Sequence, residues 1–226
     1  MGDIIELIKS RRTIKHFLPK FVSWENISKI IDAARHAPSC GNLQNWKFLV
    51  VLDSNLKQAV AEAAHEQYEI AIAGALIIVL GEPEKAERYY SLRGERLYTV
   101  QNCAAAMENM LLEAHSLGLG TCWIGAFDEE AIRMMFKIPE NIRPQAIVAV
   151  GYPKEIPPKP PKYPLEAVIY FHKWRNKVRD PAKYMNDIAV ILARRTEKIK
   201  EAVQKGTQFI VDKAKETIKE REEREN

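Results

Sequence analysis

A chain of 226 residues, 46% hydrophobic and 28% charged, is long enough for one domain with a substantial core and has an ordinary globular composition. Its net charge of +4 comes from interleaved Lys, Arg, Asp and Glu and does not by itself indicate nucleic-acid binding, so no nucleic-acid partner is expected; Cys40, Cys103 and Cys122 form no C-x-x-C pair and stand at no metal-ligand spacing. The N-terminal stretch lacks a signal-peptide core and the longest apolar run, IAIAGALIIVL from 70 to 80, is too short for a bilayer, so a cytoplasmic protein with no membrane partner and no metal is expected.

Along the chain, Asp3 is placed to cap a short helix in which Ile4, Leu7 and Ile8 share a face, and this helix runs into the basic cluster SRRTIKHF. Ser23 is a good N-cap for a second helix from Trp24 to about His36, with Ile27, Ile30, Ile31 and Ala34 at helical spacing and Pro38 as its stop. WKFLVVL is strand-like, SNLKQAVAEAAHEQY is helical with Lys57 read as a surface residue, and ALIIVL is a β-branched run suited to burial on both faces of a sheet. From about Tyr98 to Leu117 the chain is apolar nearly all round, which predicts a central buried helix ended at Gly118. TCWIGAF reads as a short strand and turn, Asp128 caps a helix with Glu129 and Glu130 in its first turn, and PQAIVAVGYP is another buried strand. The proline-rich KEIPPKPPKYP is an extended connector, and beyond Asp180 a charged helix carries a narrow apolar seam through Ile188, Leu192, Ile199, Val203, Ile210, Ala214 and Ile218.

The chemistry-bearing candidates are few. Gly118, Gly120 and Gly125 do not space as G-x-G-x-x-G and follow a helix, not a strand, so no dinucleotide fingerprint is read there, and no Walker A pattern occurs. His36, four residues before Cys40 and across a proline, is weak ground for a base beside a nucleophile. Arg11, Arg12, Thr13 and Lys15 are more informative: paired guanidinium donors, a hydroxyl and an ammonium suit a phosphorylated ligand. The alternative, basic residues complementing the carboxyl end of the first helix, accounts readily for one of these charges. APSCGNLQNW, from 37 to 46, gathers a hydroxyl, a thiol, carboxamides and an indole in what need only be a turn, and reads as a polar loop aimed at a ligand.

Taken together these stretches resemble the nitroreductase family of FMN-dependent oxidoreductases. SRRTIKHF is similar to its R-R-S-x-R-x-F signature and APSCGNLQNWKFLVV to its A-P-S-x-x-N-x-Q-P-W-x-F-x-V-V segment; GLGTCWIGAF, VAVGYP and KYPLEAVIYFHKW follow in the family's order, from about residue 4 to Trp174. The resemblance implies an α+β, three-layer fold with a central, mostly antiparallel sheet flanked by helices, intertwined as a homodimer, with domain 1–174 binding FMN and a charged helical extension, 175–226, outside the family core. It also implies that Arg11, Arg12, Thr13 and Lys15 hold the phosphate, ribityl and pyrimidine end of FMN, and that Lys162 completes the phosphate clamp. Pro38, Ser39, Cys40 and Asn42 approach the flavin from the partner subunit, while Ile124 and Gly125 offer backbone groups beside the isoalloxazine. Gln67 is a further candidate from its place before the buried strand.

The implied activity is ping-pong hydride transfer from NADH or NADPH through flavin N5 to a small electron-poor acceptor such as a nitroaromatic or quinone, with Lys15 favouring the reduced flavin and no side chain acting as nucleophile. A flavin-binding regulatory or scaffold protein, with a partner on the C-terminal helix and little turnover, is the alternative reading. Departures from the pattern are Thr13 for serine, Lys15 and Lys162 for arginine, Asn45 where the family usually has proline, and Asn102 where aspartate is frequent.

Overall fold

The structure, a computed structural model, describes residues 3–177; the apolar seam expected beyond Asp180 lies outside them. The chain divides into two compact units at Pro160/Pro161.

In the first unit the sheet is built from β1 (Trp46–Val51), β2 (Ala75–Gly81), β3 (Gly120–Ile124) and β4 (Arg143–Gly151) in the order β1-β2-β4-β3, with every neighbouring pair antiparallel. Strand alternation divides the core between the two faces of this sheet. Ala75, Ile77 and Val79 of β2 and Ala146, Val148 and Val150 of β4 pack with α2 (Trp24–Arg35) and α5 (Thr99–Ser116). Leu76, Ile78 and Leu80, with Ile147 and Ala149, pack on the other face with α3 (Ser54–Ala63) and α6 (Glu129–Phe136). The result is the expected α+β layering, a four-stranded antiparallel sheet between helices, with β2 buried along its whole length.

The helix ends follow the sequence signals. Asp3 accepts from the Ile5 amide to cap α1 (Ile4–Ser10), Ser23 from Asn26 for α2, Asp53 from Leu56 for α3 and Asp128 from Ala131 for α6. Gly118, at φ +74°, ends α5, with the Leu119 amide donating back to the Ala114 carbonyl. α3 is shorter than SNLKQAVAEAAHEQY suggests: His65 and Glu66 take positive φ, and a 3-10 turn (Tyr68–Ile72) leads into β2. One further helix, α4 (Pro83–Arg93), and a π-helical turn (Gly94–Tyr98) precede α5; the charged, aromatic YYSLRGERLY carries little apolar periodicity to announce them.

Lys57 departs from its reading as a surface residue. It is only 9% exposed, and its Nζ donates to the Ala73 carbonyl at 2.6 Å, tying α3 to the end of the 3-10 turn. In the second unit, α7 (Leu165–Val168) precedes a short loop in which Tyr170 packs against Trp174 at 4.7 Å between ring centres and Asn176 Nδ2 donates to the Phe171 carbonyl. Among the described residues no helix is long and apolar enough to cross a membrane.

Candidate functional site

The basic segment leaves α1 and lies against β3. Thr13 forms a parallel bridge with Thr121, and the Ile14 amide donates to the Thr121 carbonyl at 2.9 Å. Ile14 is buried while Thr13 and Lys15 on either side of it face solvent, the alternation of an extended chain. Close approach is needed here, because a Cβ on Gly120 would stand 2.5 Å from the Ile14 side chain. The parallel direction carries Lys15 toward the Cys122–Ile124 end of β3, and its charge acts on the Cys122 thiol, which burial pushes up and Lys15 pulls down. Gly125 follows directly, and the space around it is open apart from the Trp123 indole. Arg11, Arg12, Thr13, Lys15, Ile124 and Gly125 are thus gathered along one strand.

The cations of this row are poorly neutralised. Arg11 approaches Glu108 only to 3.9 Å, and no carboxylate of a described residue pairs with Arg12 or Lys15. Arg12 Nη1 donates to the carbonyls of Lys9, Ser10 and Arg11 at 2.8, 3.0 and 2.8 Å, so this guanidinium does satisfy the carboxyl end of α1; its Nε is buried without a partner. Beside them is a cavity of about 260 Å³ lined in part by Arg11, Arg12, His115, Gly120 and Thr121. His115 Nε2 is 2.8 Å from Ser10 Oγ, and burial, followed by the two arginines, holds this imidazole below its ordinary pKa. Weakly compensated positive charge, an exposed threonine hydroxyl and an open glycine fit the phosphate and polar edge of a flavin mononucleotide.

The 38–42 loop is a separate cluster. After Pro38 the chain turns tightly, with Gly41, Asn42 and Gln44 at φ +51°, +56° and +47°. The Gln44 amide donates to Ser39 Oγ, and Gln44 Nε2 to Asn42 Oδ1, both at 3.0 Å. The Cys40 amide donates to Asn102 Oδ1 at 3.0 Å and Cys40 Sγ accepts from Asn102 Nδ2 at 3.2 Å, whereas His36 lies 3.8 Å from Asp32, so the partner of the thiol is Asn102 and that of His36 is Asp32.

The two clusters are tied to different faces of one helix. Cys40 is anchored to Asn102 of α5, while Ser10 and Arg11 reach His115 and Glu108 of the same helix. At about 100° and about 1.5 Å per residue, Glu108 and His115 share a face that is turned roughly 120–140° from Asn102, and His115 lies about 20 Å further along.

Gln67 Nε2 donates to the Ala64 carbonyl at 2.7 Å, beside the end of α3 where the Asp128 amide bonds Ala63. Lys162 is an exposed residue of the second unit. Reading residue by residue missed what joins Asn45 to Asn102: Asn102 Nδ2 donates to Asn45 Oδ1 at 2.7 Å, and both side chains are buried. The available signal was that both positions depart from the family pattern in the same direction, toward carboxamides.

A model of the nitroreductase family matches residues 8–91 and 68–152, together most of the first unit. The chain belongs to the nitroreductase family. Its relatives include an Archaeoglobus fulgidus protein whose name pairs NADH dehydrogenase with NAD(P)H nitroreductase, 37% identical over 159 residues, or 69% of this chain and 88% of that one. An FMN reductase (NADPH) of Bacillus subtilis is 24% identical over 82% of this chain and 80% of its own length. Among solved structures, NfrA2 of B. megaterium superposes with a TM-score of 0.72 at 25% identity, covering 87% of this chain and 85% of that one. As a member of this family the chain is an oxidoreductase with the nitroreductase fold.

Proposed function

We propose that this oxidoreductase is a cytoplasmic homodimer with an FMN at each of two sites between the subunits, and that it carries hydride from NADH or NADPH to a small electron-poor acceptor, such as a nitroaromatic or a quinone, in a ping-pong sequence. The observation that supports the reading is the division of the site: the cation row on β3 and the 38–42 turn are tied to different faces of α5, and a second copy supplying one of them would bring both to one ligand. The B. subtilis relative's name, FMN reductase (NADPH), points to the same cofactor and donor.

In this reading Arg11 and Arg12 hold the phosphate, with Lys162 completing the clamp, and the Thr13 hydroxyl adds a hydrogen bond. Lys15, unpaired among the described residues, stands where negative charge at the pyrimidine edge is stabilised. Ile124 and Gly125 bring backbone close to the ring system and Gln67 borders it, while Pro38, Ser39, Cys40 and Asn42 close the site from the partner subunit. Bound FMN supplies the hydride exchange, so no side chain is required as a nucleophile. The FMN-binding domain is assigned to residues 1–174 and the extension to 175–226.

The test begins with the purified full chain under anaerobic conditions. NADH or NADPH is expected to bleach the flavin absorption and a quinone or nitroaromatic to restore it; absence of bleaching by both nucleotides refutes the proposed donor. Subunit sharing is tested by co-expressing Arg11→Gln with Gly41→Val, the latter placing a Cβ 2.5 Å from the Tyr90 hydroxyl at positive φ. Each homodimer has two damaged sites, whereas a mixed dimer has one intact site if the halves come from different subunits. Mixed dimers that retain no flavin refute the shared site.

A further inference from the structure

Asn45 and Asn102 are buried carboxamides at 0% and 4% exposure, and the hydrogen bonds around them run in one direction. The Cys40 amide donates to Asn102 Oδ1; Asn102 Nδ2 donates to Asn45 Oδ1; Asn45 Nδ2 donates to the Glu82 carbonyl and to Thr99 Oγ1, each at 3.0 Å; Thr99 Oγ1 donates to the Gly94 carbonyl at 3.0 Å. The ends of this relay fix its orientation, since a backbone N–H only donates and a carbonyl only accepts. Asn102 must turn its oxygen to Cys40 and its nitrogen to Asn45, and Asn45 must then turn its nitrogen to Glu82. Its remaining donor capacity is used as well, because Asn102 Nδ2 also reaches Cys40 Sγ at 3.2 Å.

The pair explains two departures that make little sense singly. An aspartate at 102 would set an acceptor against Asn45 Oδ1, and a proline at 45 would leave Asn102 without its buried acceptor. Proline at 45 would also disfavour the left-handed conformation of the preceding Gln44. What the relay holds is a turn with Gly41, Asn42 and Gln44 all in the left-handed region, a conformation that persists only where its surroundings enforce it. Tyr90 of α4 presses on the same turn at Gly41, and Gly94, the far end of the relay, begins the π turn that follows α4.

We propose that Asn45 and Asn102 are a single positioning unit for the cofactor site: through the amide and thiol of Cys40 they set the place from which the 39–42 turn meets FMN in the partner subunit. This rests on the FMN reading above. Asn102 holds both the N–H and the Sγ of Cys40, so both Cys40 groups are fixed relative to α5.

The experiment uses the full-chain protein with Asn45→Ala, Asn102→Ala and the double variant, all well below their unfolding temperatures. Each single variant is expected to weaken FMN binding about 10-fold, the scale of one buried hydrogen-bond network opened, with the double variant little worse than either. The visible absorption band of the bound flavin shifts in all three. In unaltered protein without FMN, the Cys40 amide is expected to exchange slowly with deuterium; free exchange until FMN is added overturns the proposal without recourse to any variant. Variants that melt lower yet bind FMN with unchanged affinity and band position reduce the pair to a structural role. Wild-type protein that takes up no FMN overturns the cofactor reading instead.

Discussion

Arg11→Gln is the sharpest perturbation of the proposed phosphate clamp. Arg12 is less informative, because its Nη1 satisfies three carbonyls at the end of α1 and its removal costs helix stability together with any ligand contact. Arg11 makes only a 3.9 Å approach to Glu108, so little of the fold depends on its charge. A hydrogen-bonded arginine–phosphate pair is worth about 1.5–3 kcal/mol, which converts to a rise in the FMN Kd of roughly 10- to 150-fold. The folded state should lose less than about 0.5 kcal/mol, the ordinary scale for a substitution outside the core and caps. The assay is fluorescence titration of the FMN-free chain, with urea unfolding in parallel and Lys85→Ala as the exposed control. Lys57 is unsuitable as that control because it is buried. Raising the salt concentration should weaken wild-type binding more than binding to Arg11→Gln, since one screened charge is gone. A Kd within twofold of wild type, with unchanged salt response, refutes the clamp assignment.

Two other outcomes follow from buried groups. Burial lowers the pKa of Lys57, partly countered by Asp53, so between its folded value and the ordinary 10.5 the unfolded chain binds more protons than the folded one. Stability contributed by this group therefore rises with pH across that window, and Lys57→Met should flatten the urea-unfolding stability curve there; parallel curves for the two proteins would exclude the assignment. Cys103 is fully buried with its thiol pushed up to about 12, and burial also raises Cys122, so alkylation of the native, FMN-free protein should modify Cys40 first, as read by peptide mass spectrometry. FMN is expected to slow the Cys40 reaction, and early labelling of Cys103 would contradict the packing of α5 on β2.

The layered fold was legible wherever one physical signal acted alone. Asp3, Ser23 and Asp128 cap the helices they were expected to cap, and ALIIVL is buried along its whole length because both of its faces meet helices. Legibility failed where two signals opposed each other. YYSLRGERLY forms part of α4 and the π turn despite its charge and a glycine, since Gly94 is buried against the Ala86 carbonyl where no Cβ fits. Lys57 looked exposed because lysines usually are; only the fold brings the Ala73 carbonyl over it.

The candidate site divided along the same line. That Arg11, Thr13 and Lys15 lie along one extended segment could be read from their spacing, and the helix-end alternative holds for Arg12. Asn45 and Asn102 could not be read in this way, because a carboxamide's role is fixed by which of its ends meets a donor, and that depends on residues 57 positions apart. The same pair binds the 38–42 loop to the face of α5 turned away from the cation row. In the proposed dimer each flavin meets the cation row of one subunit and the 38–42 turn of the other, so a mutation that only loosens the subunit contact should release flavin without touching any residue of the clamp.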